Sequence, residues 1–175
     1  MSTSAAIRER RDDDLASAGQ ALIRVHETNG YPVEGVSDPI GWLTPENLLK
    51  AWVAELDGRI VGHVSLASGE GEDAAALWRQ QAGSNEPLAA LERLFVAPEA
   101  RSQGLGDRLV RAAMEEANRI GRRLLLDVMA KDQAAIRLYE RLGWRRIGEL
   151  SHGVPDGSTV PAFGYVAPLH REKDA

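Results

Sequence analysis

The sequence predicts an α/β (α+β) sandwich, and three observations carry the prediction. Apolar segments of strand length alternate with segments of helical period, two of the strands flank a two-residue turn of hairpin chemistry, and no eighteen apolar residues follow one another. The 175 residues, 43% hydrophobic and 27% charged, match the composition of one globular domain, with a core from about residue 6 to about residue 167.

Ala6 to Arg11 reads as a first strand. Asp12–Asp14 then place acidic side chains at the start of a helix that runs to about Glu27, and Asn29-Gly30 breaks it. Prolines and glycines between Tyr31 and Trp42 predict an irregular loop, after which Thr44-Pro45 reads as the N-cap and first residue of a short helix ending near Lys50. Ala51–Leu56 and Arg59–Ala67 are apolar segments joined by Asp57-Gly58, the turn chemistry of a type I′ hairpin. The glycine-rich, acidic stretch from Ser68 to Pro87 reads as an insertion or mobile loop between strands, with a short helix around Ala74 to Gln81. Leu88 to Val96 is nearly all apolar and predicts a central strand ended by Pro98. Leu105, Leu109, Ala112, Ala113, Ala117 and Ile120 keep helical spacing up to Gly121. Leu124–Met129 is a buried strand, and Asp132 caps a helix with Ala135, Leu138, Tyr139 and Leu142 on one face and Gly143 beyond its end. Trp144–Leu150 and Val160–Val166 close as antiparallel strands around Gly153–Ser158.

The net charge of −5 argues against a nucleic-acid binder, whose footprint would be basic. The charge is uneven: Ala97 to Ile147 holds eleven Arg/Lys against seven Asp/Glu, or +4, and the remainder ten against nineteen, or −9. One region is therefore suited to a polyanion and the other to a cation. The absence of cysteine excludes disulfides, thiolate zinc sites and a cysteine nucleophile. With no apolar run near the N-terminus, the reading is of a soluble, cytoplasmic protein that engages no membrane. His26, His152 and His170 have no metal-ligand spacing, and His63, in mid-strand, reads as a packed or hydrogen-bonded histidine, so no metal is expected.

The segment with most chemistry is Val96 to Gly106, where a buried strand passes through a glycine-containing turn into a long helix. The first amides of a helix have no partner within it and the macrodipole adds about half a positive charge, so such a junction attracts phosphate. Gly104 and Gly106 allow close approach, and Arg101 supplies a cation. Other phosphate motifs are excluded: there is no Gly-Lys-Ser/Thr, and Leu109 stands where G-x-G-x-x-G needs its last glycine.

Arg101-x-x-Gly104-x-Gly106 after an apolar strand resembles the acyl-CoA signature of the GNAT superfamily of N-acetyltransferases. Asp132-x-x-Ala135-Ile136-x-Leu138-Tyr139-Glu140-x-Leu142-Gly143-Trp144 is similar to the family's second core segment, and the hairpin strand Ile60–Val64 stands at the family's second and third strands. The resemblance covers about Arg8 to Val166. It implies a mixed, centrally splayed sheet of about seven strands flanked by about four helices, with acetyl-CoA as cosubstrate between the Leu88–Val96 and Leu124–Met129 strands. By the same resemblance, the backbone of Leu94, Phe95 and Val96 would pair with the pantetheine arm. The amides of Arg101, Ser102, Gln103, Gly104, Leu105 and Gly106 would hold the pyrophosphate, with Asp132 and Ala135 beside the arm.

Tyr139 matches the family position that protonates the departing thiolate, and a phenol of reference pKa about 10 can donate to a thiolate of about 8.5. Asp132 departs from the family's usual Asn; an ionised Asp only accepts, and its N-cap role is sufficient by itself. An amine substrate must lose a proton, and Glu92, four residues before Val96, is the best-placed carboxylate to take it. Tyr31 and Trp42 lie in the loop where this family shapes its acceptor pocket, as an aromatic wall for a cation or as packing beneath the loop. The resulting expectation is direct acetyl transfer from acetyl-CoA to the primary amine of a small cationic molecule. Two alternatives stand beside it: acetylation of a protein lysine or N-terminus, and an acyl-CoA-binding sensor module without catalysis. The family often forms homodimers, and no residue here marks an interface.

Overall fold

A computed structural model describes residues 5–169; His170, among the histidines considered above, lies outside them. The elements follow in the order β1 (Ala6–Glu9), α1 (Leu15–Asn29), α2 (Pro39–Leu43), β2 (Leu48–Leu56), β3 (Arg59–Ser68), α3 (Asp73–Ala82), β4 (Leu88–Val96), α4 (Leu105–Arg119), β5 (Arg123–Met129), α5 (Gln133–Arg141), β6 (Arg145–Gly153) and β7 (Thr159–Val166). The strands form one seven-stranded sheet in the order β1-β2-β3-β4-β5-β7-β6. All neighbours are antiparallel except β4 and β5. This is the mixed α/β sheet the sequence predicts, with five helices among the described residues where about four were expected.

Local chemistry accounts for most boundaries. The β2–β3 turn holds Asp57 at φ 51° and Gly58 at φ 77°, the double left-handed geometry of a type I′ turn. Helix α4 buries Leu105, Leu109, Val110, Ala113 and Ala117 and exposes Arg111, Glu115 and Arg119, so one stripe drives its packing. It lies against β2, β3 and β4, α1 lies against β3 and β4, and α3 covers β5, β6 and β7. Most buried apolar side chains join one core; a second cluster under α3 is made by Ala74, Ala75, Trp78, Leu88, Leu125, Ile147 and Val166. Trp78 is thus an internal anchor of α3, with its indole donating to Glu86 at 3.1 Å.

The short helix after α1 differs from expectation. It is Pro39–Leu43, capped by Asp38, whose carboxylate accepts from the Gly41 amide at 3.0 Å. Thr44, expected as the N-cap, stands at its end instead, with its hydroxyl on the Ile40 carbonyl at 2.8 Å. Leu48 and Lys50, expected in that helix, belong to β2, because pairing with Ala67 and Leu66 of β3 extends the strand backwards. The ladder overrides the local Thr-Pro signal.

One ionic joint ties the first strand to the first helix. The Arg8 guanidinium makes two bonds of 2.8 Å to the Asp14 carboxylate and a third of 2.8 Å to Glu55 on β2, while Asp14 also accepts from the Arg11 amide at 2.7 Å. Asp14 is buried, and the Arg8 contact holds its carboxyl below the usual range despite the opposing effect of desolvation. Asp14→Asn is expected to cost about 2–3 kcal/mol in urea unfolding at pH 7, less than a fully buried pair because Arg8 stays 24% exposed. A carboxyl with a lowered native pKa stabilises above its unfolded pKa, so the gap between the two proteins should narrow as pH falls below about 4.

Candidate functional site

The site arises where the sheet stops being a sheet. Parallel strands β4 and β5 pair only from Leu88–Ala90 to Arg123–Leu125; beyond Ala90 they separate, while β5 continues pairing with β7 as far as Met129. On the other edge of β4, the three steps from Glu92 to Phe95 face two steps of β3 from Ser65 to His63, so β4 carries a bulge. Arg93 sits there at φ 53°, a left-handed conformation unusual for a side chain of its size.

Two buried polar residues of β3 support the bulge. Ser65 donates its hydroxyl to the Glu92 carbonyl at 3.1 Å, and His63 Nδ1 lies 2.9 Å from the Arg93 carbonyl. Arg10 Nη1 stands 3.0 Å from His63 Nε2. A guanidinium only donates, so Nε2 accepts and Nδ1–H donates to the carbonyl. Burial then pushes the imidazole pKa down to about 3, which keeps it neutral. The expected packed, hydrogen-bonded histidine is therefore what the fold contains, and it stacks on Phe95 with ring centres 5.3 Å apart.

The gap holds two cavities that meet. The first, about 470 Å³, is lined by Leu94, Phe95 and Val96 on one side and Met129, Asp132 and Ala135 on the other. A smaller space of about 240 Å³ continues from it around Arg101, Ser102, Gly104, Leu105 and Gly106 at the start of α4. Ser102 at φ 66° and Gly104 at φ 74° turn the chain so that it enters the helix with its first amides free. Gly106 is small for a second reason, since a Cβ there would lie 3.3 Å from Leu138 of α5. Of the residues the sequence singled out, Gln103 is exposed and lines none of these spaces. Arg101 folds back, with Nε donating to the Val96 carbonyl at 3.2 Å. Two cations that sequence reasoning missed also line this side: Lys131, and Arg141, held at 2.6 Å by Asp107. The +4 balance of the segment was their only signal.

The second cavity, about 400 Å³, shares Tyr31, Leu94, Met129 and Asp132 with the first. Tyr139 and Glu92 both line it. Tyr139 is buried, and desolvation pushes its phenol well above the usual value. Glu92 is held by Arg93 Nη1 at 2.8 Å, and Arg93 Nε donates to the Trp42 carbonyl at 2.6 Å. One face of Trp42 is taken by the Arg93 guanidinium, 4.9 Å from its ring centre, and Tyr31 lies T-shaped to the ring at 5.8 Å. Asp132 caps α5, accepting from the Ala135 amide at 3.4 Å. Sequence reading also missed Glu72, Asp127 and His152, which come from distant elements; His152 Nδ1 is 3.8 Å from Asp127. Among the described residues no group of three or more His, Asp or Glu is arranged to hold a metal, and no helix is long and apolar enough to cross a membrane.

Comparison with known proteins matches residues 17–144 to the Acetyltransferase (GNAT) family. The uncharacterized N-acetyltransferase YjgM of Escherichia coli is 34% identical over 97 residues, covering 55% of this chain and 51% of that protein. The uncharacterized N-acetyltransferase MJ1207 of Methanocaldococcus jannaschii is 31% identical over 104 residues, 59% and 42% of the two chains. The chain thus spans about half the length of the curated relatives it matches. Among solved structures, Arabidopsis thaliana NAA60 in complex with acetyl-CoA superposes with a TM-score of 0.70 at 20% identity, over 93% of this chain and 97% of that one. The ribosomal-protein-S18-alanine N-acetyltransferase of Escherichia coli gives 0.67 at 21%, over 98% of each. At such identity the likeness is one of fold.

A histidine whose native pKa lies below its unfolded value stabilises fully above about pH 6.5, and that contribution drains away as pH falls toward 3. Denaturant melts of the native protein should therefore weaken between pH 7 and pH 4. His63→Gln should be less stable at pH 7 and flatter across that window; parallel curves would remove the histidine from the support of the bulge.

Proposed function

Because the chain belongs to the acetyltransferase (GNAT) family, we propose that it is an N-acetyltransferase, acting as a single domain, that moves the acetyl group of acetyl-CoA directly to a primary amine of a small cationic molecule. The observation that carries this reading is the meeting of the two cavities at Leu94, Met129 and Asp132, one beside a phosphate-type helix start and the other lined by carboxylates. Acetyl-CoA fits the first. Its pyrophosphate would face the amides of Ser102 to Gly106 and the side chains of Arg101, Lys131 and Arg141, and its pantetheine arm the unpaired edge of β4 at Leu94–Val96. When bound, acetyl-CoA supplies an activated thioester carbonyl.

The chain's residues do the rest. A backbone amide in the Leu94–Val96 edge polarises the carbonyl as negative charge grows on its oxygen. Glu92 takes the proton of the incoming ammonium, and Tyr139 donates its phenolic hydrogen toward the sulfur as the C–S bond breaks. Its raised pKa favours strong hydrogen bonding over complete transfer, so the sulfur takes its proton as the product leaves. With no cysteine, the chain offers no thiol to carry the acetyl group, and the shared boundary of the cavities lets the amine reach the carbonyl directly. Carboxylates from Glu34, Glu72, Glu92 and Asp127 outnumber Arg93 around the second cavity, which favours a cationic acceptor.

The test is colorimetric release of CoA thiol with acetyl-CoA and a panel of n-butylamine, spermidine, an aminoglycoside and unblocked tetrapeptides, free of protein thiol background. Release with the cationic amines is expected; release with peptides alone would move the reading to protein N-termini or lysines. Tyr139→Phe should lower kcat by about 10²-fold while the Kd for acetyl-CoA stays within about twofold. Equal turnover would remove the phenol from the mechanism, and acetyl-CoA binding without thiol release for any acceptor would leave a sensor module.

A further inference from the structure

We propose that Arg93 is the positioning residue of the acceptor cavity: its one guanidinium fixes both the Glu92 carboxylate and the Trp42 end of α2, so that the base and the wall beside it are set together. The inference deepens the acetyltransferase reading and rests on it. In a regular strand successive side chains point to opposite faces, so neighbours do not meet. Glu92 and Arg93 are neighbours in β4, yet Arg93 Nη1 donates to Glu92 Oε2 at 2.8 Å and both line the second cavity. The left-handed backbone of Arg93, at φ 53°, brings the two side chains round to one side. A residue of that size keeps such a conformation only where its surroundings hold it. Two fully buried side chains of β3 do so: Ser65 donates to the Glu92 carbonyl at 3.1 Å, and His63 Nδ1–H donates to the Arg93 carbonyl at 2.9 Å.

The aimed side chain joins segments that are distant in sequence. Arg93 Nε donates to the Trp42 carbonyl at 2.6 Å, and the guanidinium lies 4.9 Å from the centre of the Trp42 ring. Trp42 passes the hold on, since its indole N–H donates to the Glu34 carboxylate at 2.5 Å. Glu34, Trp42, Arg93 and Glu92 therefore form one linked wall of the cavity, drawn from the loop before α2, from α2 and from β4. Arginine suits this place and lysine does not. A planar fork can bond a carboxylate and a carbonyl while its face lies on an indole, whereas an ammonium is a point donor on a flexible stem.

The consequence for the reaction is geometric. Arg93 keeps its protons throughout and enters no bond change. It grips Oε2 of Glu92 and leaves Oε1 for the proton of the acceptor's ammonium group. The same guanidinium holds Trp42, so an acceptor resting on the α2 wall and the carboxylate that deprotonates it stay in register. Rates fall steeply when reacting groups lose that register.

The experiment has two arms. Arg93→Gly suits the left-handed backbone and removes the side chain alone, while Arg93→Lys keeps the charge without the fork. In the thiol assay, with the most active of n-butylamine, spermidine and an unblocked tetrapeptide, both variants should lose about 10-fold or more in kcat/KM, while the Kd for acetyl-CoA stays within about twofold and the melting temperature stays near the native value. N-ethylguanidinium at low millimolar concentration should restore kcat/KM several-fold in Arg93→Gly and not in Arg93→Lys, with tetramethylammonium inert in both. Native kcat/KM in either variant, or an Arg93→Gly loss that N-ethylguanidinium leaves untouched, overturns the positioning role.

The second arm needs no turnover. In protein labelled with fluorotryptophan, the Trp42 ¹⁹F signal, assigned by its loss in Trp42→Phe, should shift in Glu92→Ala and in Arg93→Gly, and Glu92→Ala should add nothing once residue 93 is glycine. A Trp42 signal indifferent to Glu92, or one that still follows Glu92 without the arginine, overturns the link between base and wall. Thiol release with no amine, while the Trp42 signal behaves as expected, overturns the acetyltransferase reading and the role in its reaction, and leaves the link itself established.

Discussion

The divergence of β4 from β5 is the constraint on which the rest of this protein depends. A parallel pair that stops after three residues leaves two strand edges facing each other inside the fold, and buried backbone groups without partners are costly. The chain limits that cost on one edge of β4 by giving His63 and Ser65, both fully buried, to the carbonyls displaced by the bulge. The opposite edge stays unpaired beyond Ala90, where the proposed function would seat the pantetheine arm. Arg10 follows from the same need: it satisfies the second nitrogen of His63 and bonds the Leu43 carbonyl at 2.7 Å, so the N-terminal segment, α2 and the bulge share one polar joint.

The bulge also divides the molecule electrostatically. Past it, β4 runs into the turn and the start of α4, where free amides gather with Arg101 and Arg141 around the smaller space. Before it, Glu92 stands with carboxylates supplied by the α1–α2 loop, the segment before α3, and β5. Arg93 occupies the boundary, and its left-handed backbone lets one side chain bond Glu92, the Trp42 carbonyl and the Trp42 ring. The Trp42 ring is therefore engaged in holding that arginine, and under the proposed function a cationic guest would be met by the carboxylates.

Local chemistry explains what was legible in the sequence. Asp57-Gly58 could form little other than a type I′ turn, Pro98 and Gly121 bracket the apolar stripe of α4, and Leu88–Val96 was read with the bounds it has. The phosphate-type junction and the Tyr139 segment were visible for the same reason, since each lies within a dozen residues of chain. What stayed hidden depends on contacts between remote segments. Asp38-Pro39 and Thr44-Pro45 offer similar helix starts, and only the pairing of Leu48 and Lys50 with β3 decides between them. A left-handed arginine in mid-strand has no local signature, and Glu72 lines the same cavity as Glu92 only because α3 docks on β5, β6 and β7. The partner of Trp42 was likewise invisible, because Arg93 reaches it from fifty-one residues away.

The helix α3 has its own small apolar cluster, separate from the main core. Segments with a separate core open locally at a free energy below that of global unfolding. The α3 segment that carries Glu72 is therefore expected to open more readily than the phosphate-type turn and α4, which belong to the main core. Warming or mild denaturant would unseat Glu72 first and leave Tyr31, Trp42 and Tyr139, which pack on the main core, in place. Over longer times the same partition would let substitutions in the inserted segment reshape the second cavity without disturbing the first.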